Sequence, residues 1–173
     1  MQAAKIFSAN NIKSYIFTDL RPTPELSFAV RELNSSCGLV ITASHNPKEY
    51  NGYKVYWNDG GQITAPHDKN IISEVEKISD FNQINFNYDS KLIKEIDDEI
   101  DKKYIDKIQS LSVYDNSKSN LKIIFSSLHG TGITQIPNAL KAFGFKNIRS
   151  VKSQESPDPE FSTVNSPNPE DLD

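Results

Sequence analysis

An internal disulfide framework is closed to this chain, because its 173 residues contain a single cysteine, Cys37, and a bridge needs two. There is no run of 18 apolar residues and no secretory apolar segment, so the sequence offers no candidate for a spanning helix, and a reducing cytoplasm is the expected compartment. Positive charge is in short supply as well. Nineteen Lys and Arg stand against 23 Asp and Glu, a formal net charge of −4, so no basic face attracts nucleic acid or an anionic membrane, and any phosphate must be held locally. Two familiar catalytic signatures are missing: no GxSxG surrounds a serine and no GxxxxGK[ST] occurs, which sets aside an α/β-hydrolase elbow and a P-loop. Internal repeats are absent.

The residues that are present suffice for a core. Hydrophobic residues make up 36% of the chain, enough for one ordinary domain or two small ones. Residues 2–9 are expected to form a short helix and "SYIFT" (14–18) a strand. In "RPTPELSFAVREL", Thr23 is the expected N-cap and Pro24 the first helical residue, with Leu26, Val30 and Leu33 at helical spacing. "GLVIT" (38–42) is expected as a short buried strand and "YKVYW" (53–57) as another, entered through Asn51-Gly52 and left through the turn Asn58-Asp59-Gly60-Gly61. Ile71, Ile72, Val75 and Ile78 predict an amphipathic helix over 68–78.

The Asn, Asp and Ser residues between 79 and 90 suggest a boundary, giving domains 1–82 and 83–173. Beyond it, Ile93, Ile96, Ile100, Tyr104, Ile105 and Ile108 predict one long charged helix from Ser90 to about Leu111, whose acidic residues are expected to be scattered over the surface. A strand (121–125), the loop "SSLHGTG" (126–132), a helix to Phe143 stopped by Gly144, and a strand (148–152) read as a βαβ unit with parallel strands. Near the end, Asn168 and Pro169 are an N-cap and first residue of a further helix, as in a fragment of a longer protein.

Function points to "TASHNP". Ser44 lies just past the carboxyl end of a strand, the side of an open α/β sheet where ligands bind. His45 stands beside it and Pro47 fixes the exit. From the residues alone, Ser44 is either a nucleophile or part of a Ser/Asn turn that caps the strand. Lys54, on the sheet face opposite Tyr53 and Trp57, reads from the residues alone as a solvated strand lysine. Thr42 and Asn46 are expected to support the loop. Tyr53, Tyr56 and Trp57 are read as core and interdomain aromatics. His129, in a lone GxG loop, is read as part of a tight turn with packing glycines, and His67 as a surface histidine.

"TASHNP", followed by "NGYKVY" and "GGQI", resembles the active-site serine loop of the α-D-phosphohexomutases, the phosphoglucomutase and phosphomannomutase superfamily. "PTPELSFAVREL", "SSLHGTG" and "PDPEFSTVNSPNPED" extend the resemblance to nearly the whole chain, toward the branch that includes phosphoglucomutase 2 and phosphopentomutase-like enzymes. It implies an α/β fold of two sheet-and-helix layers with mixed, mostly parallel sheets: the later part of a first domain (1–82), then a linker helix and the early part of a second (83–173). The family's metal-binding DGDxDR loop would follow Asp173.

The activity implied is interconversion of hexose 1-phosphate and hexose 6-phosphate through a phosphoserine at Ser44 and a hexose 1,6-bisphosphate, with Lys54 and His45 as further catalytic residues. Mg²⁺ is the implied cofactor, with Ser44 a ligand through its phosphate. Hexose phosphate and bisphosphate are the implied partners; nucleic acid, membrane and an obligate protein partner are not expected. A phosphopentomutase is the alternative, and a chain ending naturally at Asp173 would fit a non-catalytic binding module. The fragment alone is expected to be inactive.

Overall fold

The structure is a computed structural model and describes residues 1–44, 46, 48–166, 168 and 170. The element order along the chain is α1 (Gln2–Ala9), β1 (Ser14–Ile16), α2 (Thr23–Glu32), β2 (Cys37–Thr42), β3 (Gly52–Trp57), α3 (His67–Glu76), β4 (Ile93–Glu95), α4 (Asp97–Gln109), β5 (Lys122–Phe125), α5 (Gly132–Ala142) and β6 (Asn147–Ser150). Two of the three two-stranded sheets are parallel, β1 with β4 and β5 with β6, and one is antiparallel, β2 with β3. The fold is α/β with mixed, mostly parallel pairing. The helix expected at Asn168 and Pro169 falls largely outside the described residues; Asn168 Oδ1 accepts from the Glu170 backbone N–H at 3.1 Å.

Two compact units are interleaved along the sequence. The first comprises Met1–Asp19 with Gln62–Ile100. In it α1 turns Ala4, Ser8 and Ala9 inward. Ser8 is tolerated there because both of its capacities are used: it donates to the Asp89 carbonyl and accepts from the Asp89 N–H at 2.8 Å. Here the sequence reading needs correcting. Residues 90–111 are not one helix: Ser90–Leu92 is a 3₁₀ turn and Ile93–Glu95 pairs in parallel with Ser14–Ile16. Ile93 and Ile96 fit a helical stripe locally, but pairing with a strand distant in sequence overrides that preference. The helix begins instead at Asp97-Asp98-Glu99, where three carboxylates meet the positive end of its dipole. Thr18 closes the start, donating from N–H and hydroxyl to the two Asp97 oxygens at 2.9 and 2.6 Å. The helix α3 forms as expected, but its apolar stripe is not buried: Ile71, Ile72, Val75 and the following Ile78 are all exposed.

The second unit comprises Leu20–Gly61 with Asp101–Asp173. Its α2 starts one residue earlier than expected: Thr23 is helical and makes no side-chain cap, while Pro22 stands extended before it. The Glu25 N–H reaches the Pro22 carbonyl at 2.9 Å, and Pro24 forfeits nothing in the first turn, where N–H groups have no helical partner. Ala29 and Val30 are buried, and Phe28 meets Tyr104 of α4 with ring centroids 5.5 Å apart.

Helix α2 seats on the β2–β3 hairpin through Gly38. A Cβ there would lie 2.5 Å from Val30 Cγ2 and 3.3 Å from Leu26, and a buried β-branched neighbour has few rotamers with which to yield. We therefore expect Gly38→Ala to destabilise the folded chain by about 1–3 kcal/mol. Chemical denaturation measures this, and an unchanged midpoint would contradict the close packing.

The hairpin turn follows expectation. The Trp57 N–H donates to the Gly61 carbonyl at 2.8 Å and the Gly60 N–H to the Trp57 carbonyl at 3.0 Å, with Gly60 at φ 81°, a conformation that suits glycine. Strand β2, expected to be buried, is covered on one face only: Ile41, Tyr53 and Trp57 are exposed on the other, whereas Tyr56 is buried on the α2 side. The βαβ unit of β5, α5 and β6 forms as expected, with Gly144 at φ 94° ending the helix, although β6 runs Asn147–Ser150 and Lys152 opens a 3₁₀ turn where the strand was expected to continue.

Candidate functional site

Ser44 leaves β2 two residues beyond Thr42 and is exposed. Its φ is 60°, a left-handed conformation that costs a residue bearing a Cβ roughly 1–2 kcal/mol. Hydrogen bonds hold it there. Its own N–H donates to Thr42 Oγ1 at 2.9 Å, and the Asn46 N–H donates to the Ala43 carbonyl at 3.0 Å. Thr42 thus acts as the loop support foreseen from sequence, by the side-chain-to-backbone bond that its residue type favours after a strand. His45 and Pro47 lie outside the described residues.

The register brings Lys54 toward the same end of the hairpin. Thr42 pairs with Gly52 and Val40 with Lys54, so Thr42 and Lys54 share a sheet face as diagonal neighbours, a spacing of about 7–8 Å that long side chains span. Lys54 is half-buried. It lies on the face opposite Tyr53 and Trp57, as the strand alternation required. Gly52 opens the strand where a Cβ would meet the Thr42 carbonyl oxygen at 3.1 Å, which keeps the two strands close at the base of the serine loop. An exposed hydroxyl on a strained, hydrogen-bonded turn, with an ammonium group on the facing strand, can carry an anionic group and offset its charge.

His129 serves a different loop, after β5. The left-handed residues there are Leu128 and His129 themselves, at φ 44° and 61°, and neither Gly130 nor Gly132 takes a positive φ. Gly132 does pack closely, since a Cβ there would lie 3.0 Å from Ile136 Cδ1. The buried imidazole bonds the Ser156 carbonyl through Nδ1 and Thr163 Oγ1 through Nε2, both at 2.8 Å. It therefore ties the 152–163 segment to the β5–α5 loop. In that segment Asp158 accepts from the Ser162 hydroxyl and N–H and from the Glu160 N–H, which holds its carboxyl down at about 2. His67 opens α3 and is exposed, as expected.

Two acidic side chains expected to be scattered surface carboxylates are partnered instead: Asp97 by Thr18, and Asp101 by both prongs of the Arg21 guanidinium at 2.7 and 2.8 Å. Among the described residues no group of three or more His, Cys, Asp or Glu side chains could hold a metal ion. Mg²⁺ asks for near-octahedral oxygen ligation, so these residues do not by themselves make a magnesium site. Among them, too, no helix is long and apolar enough to cross a membrane.

Comparison with known proteins bears on this hairpin directly. Residues 1–82 match the family described as phosphoglucomutase/phosphomannomutase, alpha/beta/alpha domain I, and residues 102–173 match alpha/beta/alpha domain II of the same family. A human protein named glucose 1,6-bisphosphate synthase is 41% identical over 174 residues, and a Staphylococcus aureus (strain MRSA252) phosphoglucomutase is 40% identical over 171. Each alignment takes in 97% of this chain but only 28% and 31% of the relatives, so the chain spans under a third of their length. A crystal structure from Thermus thermophilus assigned as a phosphomannomutase superposes with a TM-score of 0.75 at 27% identity, over 91% of this chain and 34% of that one. Serine loop, hairpin register and βαβ unit accordingly sit in a chain that belongs to the phosphoglucomutase/phosphomannomutase family, matching its first two alpha/beta/alpha domains.

Proposed function

We propose that the complete protein interconverts hexose 1-phosphate and hexose 6-phosphate, with Ser44 as the phosphoryl carrier. The observation that carries this reading is the Ser44 turn: an exposed hydroxyl held in a left-handed conformation at the carboxyl end of β2, diagonal to Lys54 across the hairpin. In the proposed step the bond between phosphorus and Ser44 Oγ breaks as a sugar hydroxyl oxygen bonds to phosphorus, and the hydroxyl proton ends on Ser44 Oγ, giving a hexose bisphosphate and the free Ser44 hydroxyl. Return of the other phosphate to Ser44 completes the isomerisation. Serine suits the carrier role because its phosphate ester is stable in water, yet transferable where the group is positioned and its charge offset. Lys54 is assigned to offsetting that charge. His45 is assigned to the serine loop on the strength of the family motif.

In this reading 1–82 belongs to a first domain and 83–173 to the linker helix and early second domain, and the protein works in the cytoplasm on hexose phosphates and hexose 1,6-bisphosphate. Mg²⁺, which would neutralise phosphoryl charge when bound, is proposed for the complete protein, with Ser44 contributing a ligand through its phosphate.

A second reading, net synthesis of a hexose bisphosphate, is favoured by the 41% identity to the human glucose 1,6-bisphosphate synthase. The same serine step serves both. The deciding assay offers the complete gene product glucose, mannose and ribose 1-phosphates with a bisphosphate activator and follows both products. We expect the 6-phosphate isomer from a hexose 1-phosphate; accumulation of bisphosphate supports the second reading, and turnover of ribose 1-phosphate alone supports a phosphopentomutase. The isolated 173-residue chain is expected to fold and to show no turnover in the same assay. Turnover that disappears in Ser44→Ala would show that it holds more of the active site.

A further inference from the structure

Glu25 is 0% exposed, the largest fully buried side chain apart from Ile100 among the described residues, and a glutamate in that position needs an explanation. It projects from the first turn of α2 into a junction with α4 and α5. One of its oxygens, Oε1, accepts from Gln135 Nε2 on α5 at 3.2 Å, while Oε2 has no donor, and neither has Gln135 Oε1. From α4, the charge of Asp101 acts against ionisation of Glu25, and Asp101 is itself an acceptor for both prongs of Arg21. Tyr104, also on α4, has its phenol pushed up by burial and by the charge of Glu25. Arg21 is the cation near Glu25 and its charge favours the ionised form, but its guanidinium is committed to Asp101.

The cluster is therefore short of donors and not of acceptors. Two carboxyl groups cannot share a hydrogen bond unless one of them carries a proton; both Asp101 oxygens already accept from the Arg21 guanidinium, whereas Glu25 Oε2 has no donor. We propose that Glu25 is a neutral carboxylic acid in the folded chain, donating to Asp101 across the α2–α4–α5 junction, and that its deprotonation is a pH-operated release of that junction. The device lies behind the serine hairpin, because the same α2 seats on β2 through Leu26, Val30 and Gly38.

Burial, reinforced by Asp101, pushes the Glu25 carboxyl from 4.5 up to about 8. A folded-state value above the unfolded one means that the folded chain binds the extra proton. Its contribution to stability is thus complete below about pH 4.5 and is lost as pH rises through about 8. Across that window the unfolding equilibrium constant gains about tenfold per pH unit from this group.

The experiment measures the unfolding equilibrium of the 173-residue chain and of Glu25→Gln from about pH 5 to about pH 9. Glutamine keeps the shape, supplies a donor to Asp101 and cannot titrate, so the difference between the two should rise by roughly 10²- to 10³-fold in the unfolding constant across the range, other titrations cancelling. A difference that stays flat overturns the proposal. Should Glu25→Gln fail to fold, the wild type decides alone: carbon-13 titration of the glutamate carboxyls should show one group still protonated at neutral pH and titrating near pH 8. Finding every folded-state glutamate ionised at neutral pH would overturn it equally.

Discussion

Ser44→Ala in the complete gene product should remove mutase turnover, by on the order of 10⁴-fold or more, because a carrier step has no substitute once its nucleophile is gone. Folding should be spared. Ser44 is exposed, and its backbone N–H donates to the Thr42 hydroxyl, a bond that does not depend on the Ser44 side chain. Alanine keeps both of those groups, though it must still adopt φ 60°, so a small loss of loop rigidity is the most the fold should register. The measurement is a coupled assay beside a thermal melt. Loss of turnover with an unchanged melt supports the carrier role, whereas activity within an order of magnitude of wild type would return Ser44 to a strand-capping turn.

Lys54→Ala should lower turnover by roughly 10²-fold or more, the usual effect of removing one preorganised group that stabilises developing charge. Lys54 sits on β3 opposite Val40, on the face shared with Thr42 and Tyr56, and is half-buried there. Truncation therefore removes packing as well as charge. Lys54→Met separates the two effects, since it keeps most of the stem and discards the ammonium. Both variants should lose turnover alike while Lys54→Met keeps the wild-type melt. If Lys54→Met retains activity within about threefold of wild type, the lysine is only a packing element of the strand.

The parts of the fold that were legible in the sequence are those whose signals are local. Asn51-Gly52 and Asn58 to Gly61 bracket β3 because turn residues act on their own backbone, and Gly144 ends α5 because the left-handed cap suits a glycine. Alternation placed Lys54 on the correct face without any knowledge of its partner strand. What was not legible depended on distant residues. Ile93 to Glu95 became a strand only through Ser14 to Ile16, and the apolar run of β2 gave no sign that Ile41 would remain exposed. Glu25 reads as an ordinary polar residue of a first helical turn, yet Gln135, 110 residues away, helps to bury it. At the candidate site the position of Ser44 beyond a strand followed from the pattern. Its left-handed φ did not, since serine carries no preference for that conformation strong enough to read.

The most direct test of the phosphoryl-carrier role is to incubate the complete gene product with a hexose 1,6-bisphosphate and map the phosphate by peptide mass spectrometry. One phosphate on Ser44, lost again on addition of hexose monophosphate, is the predicted result. No incorporation, or a phosphate on any other residue, would contradict it.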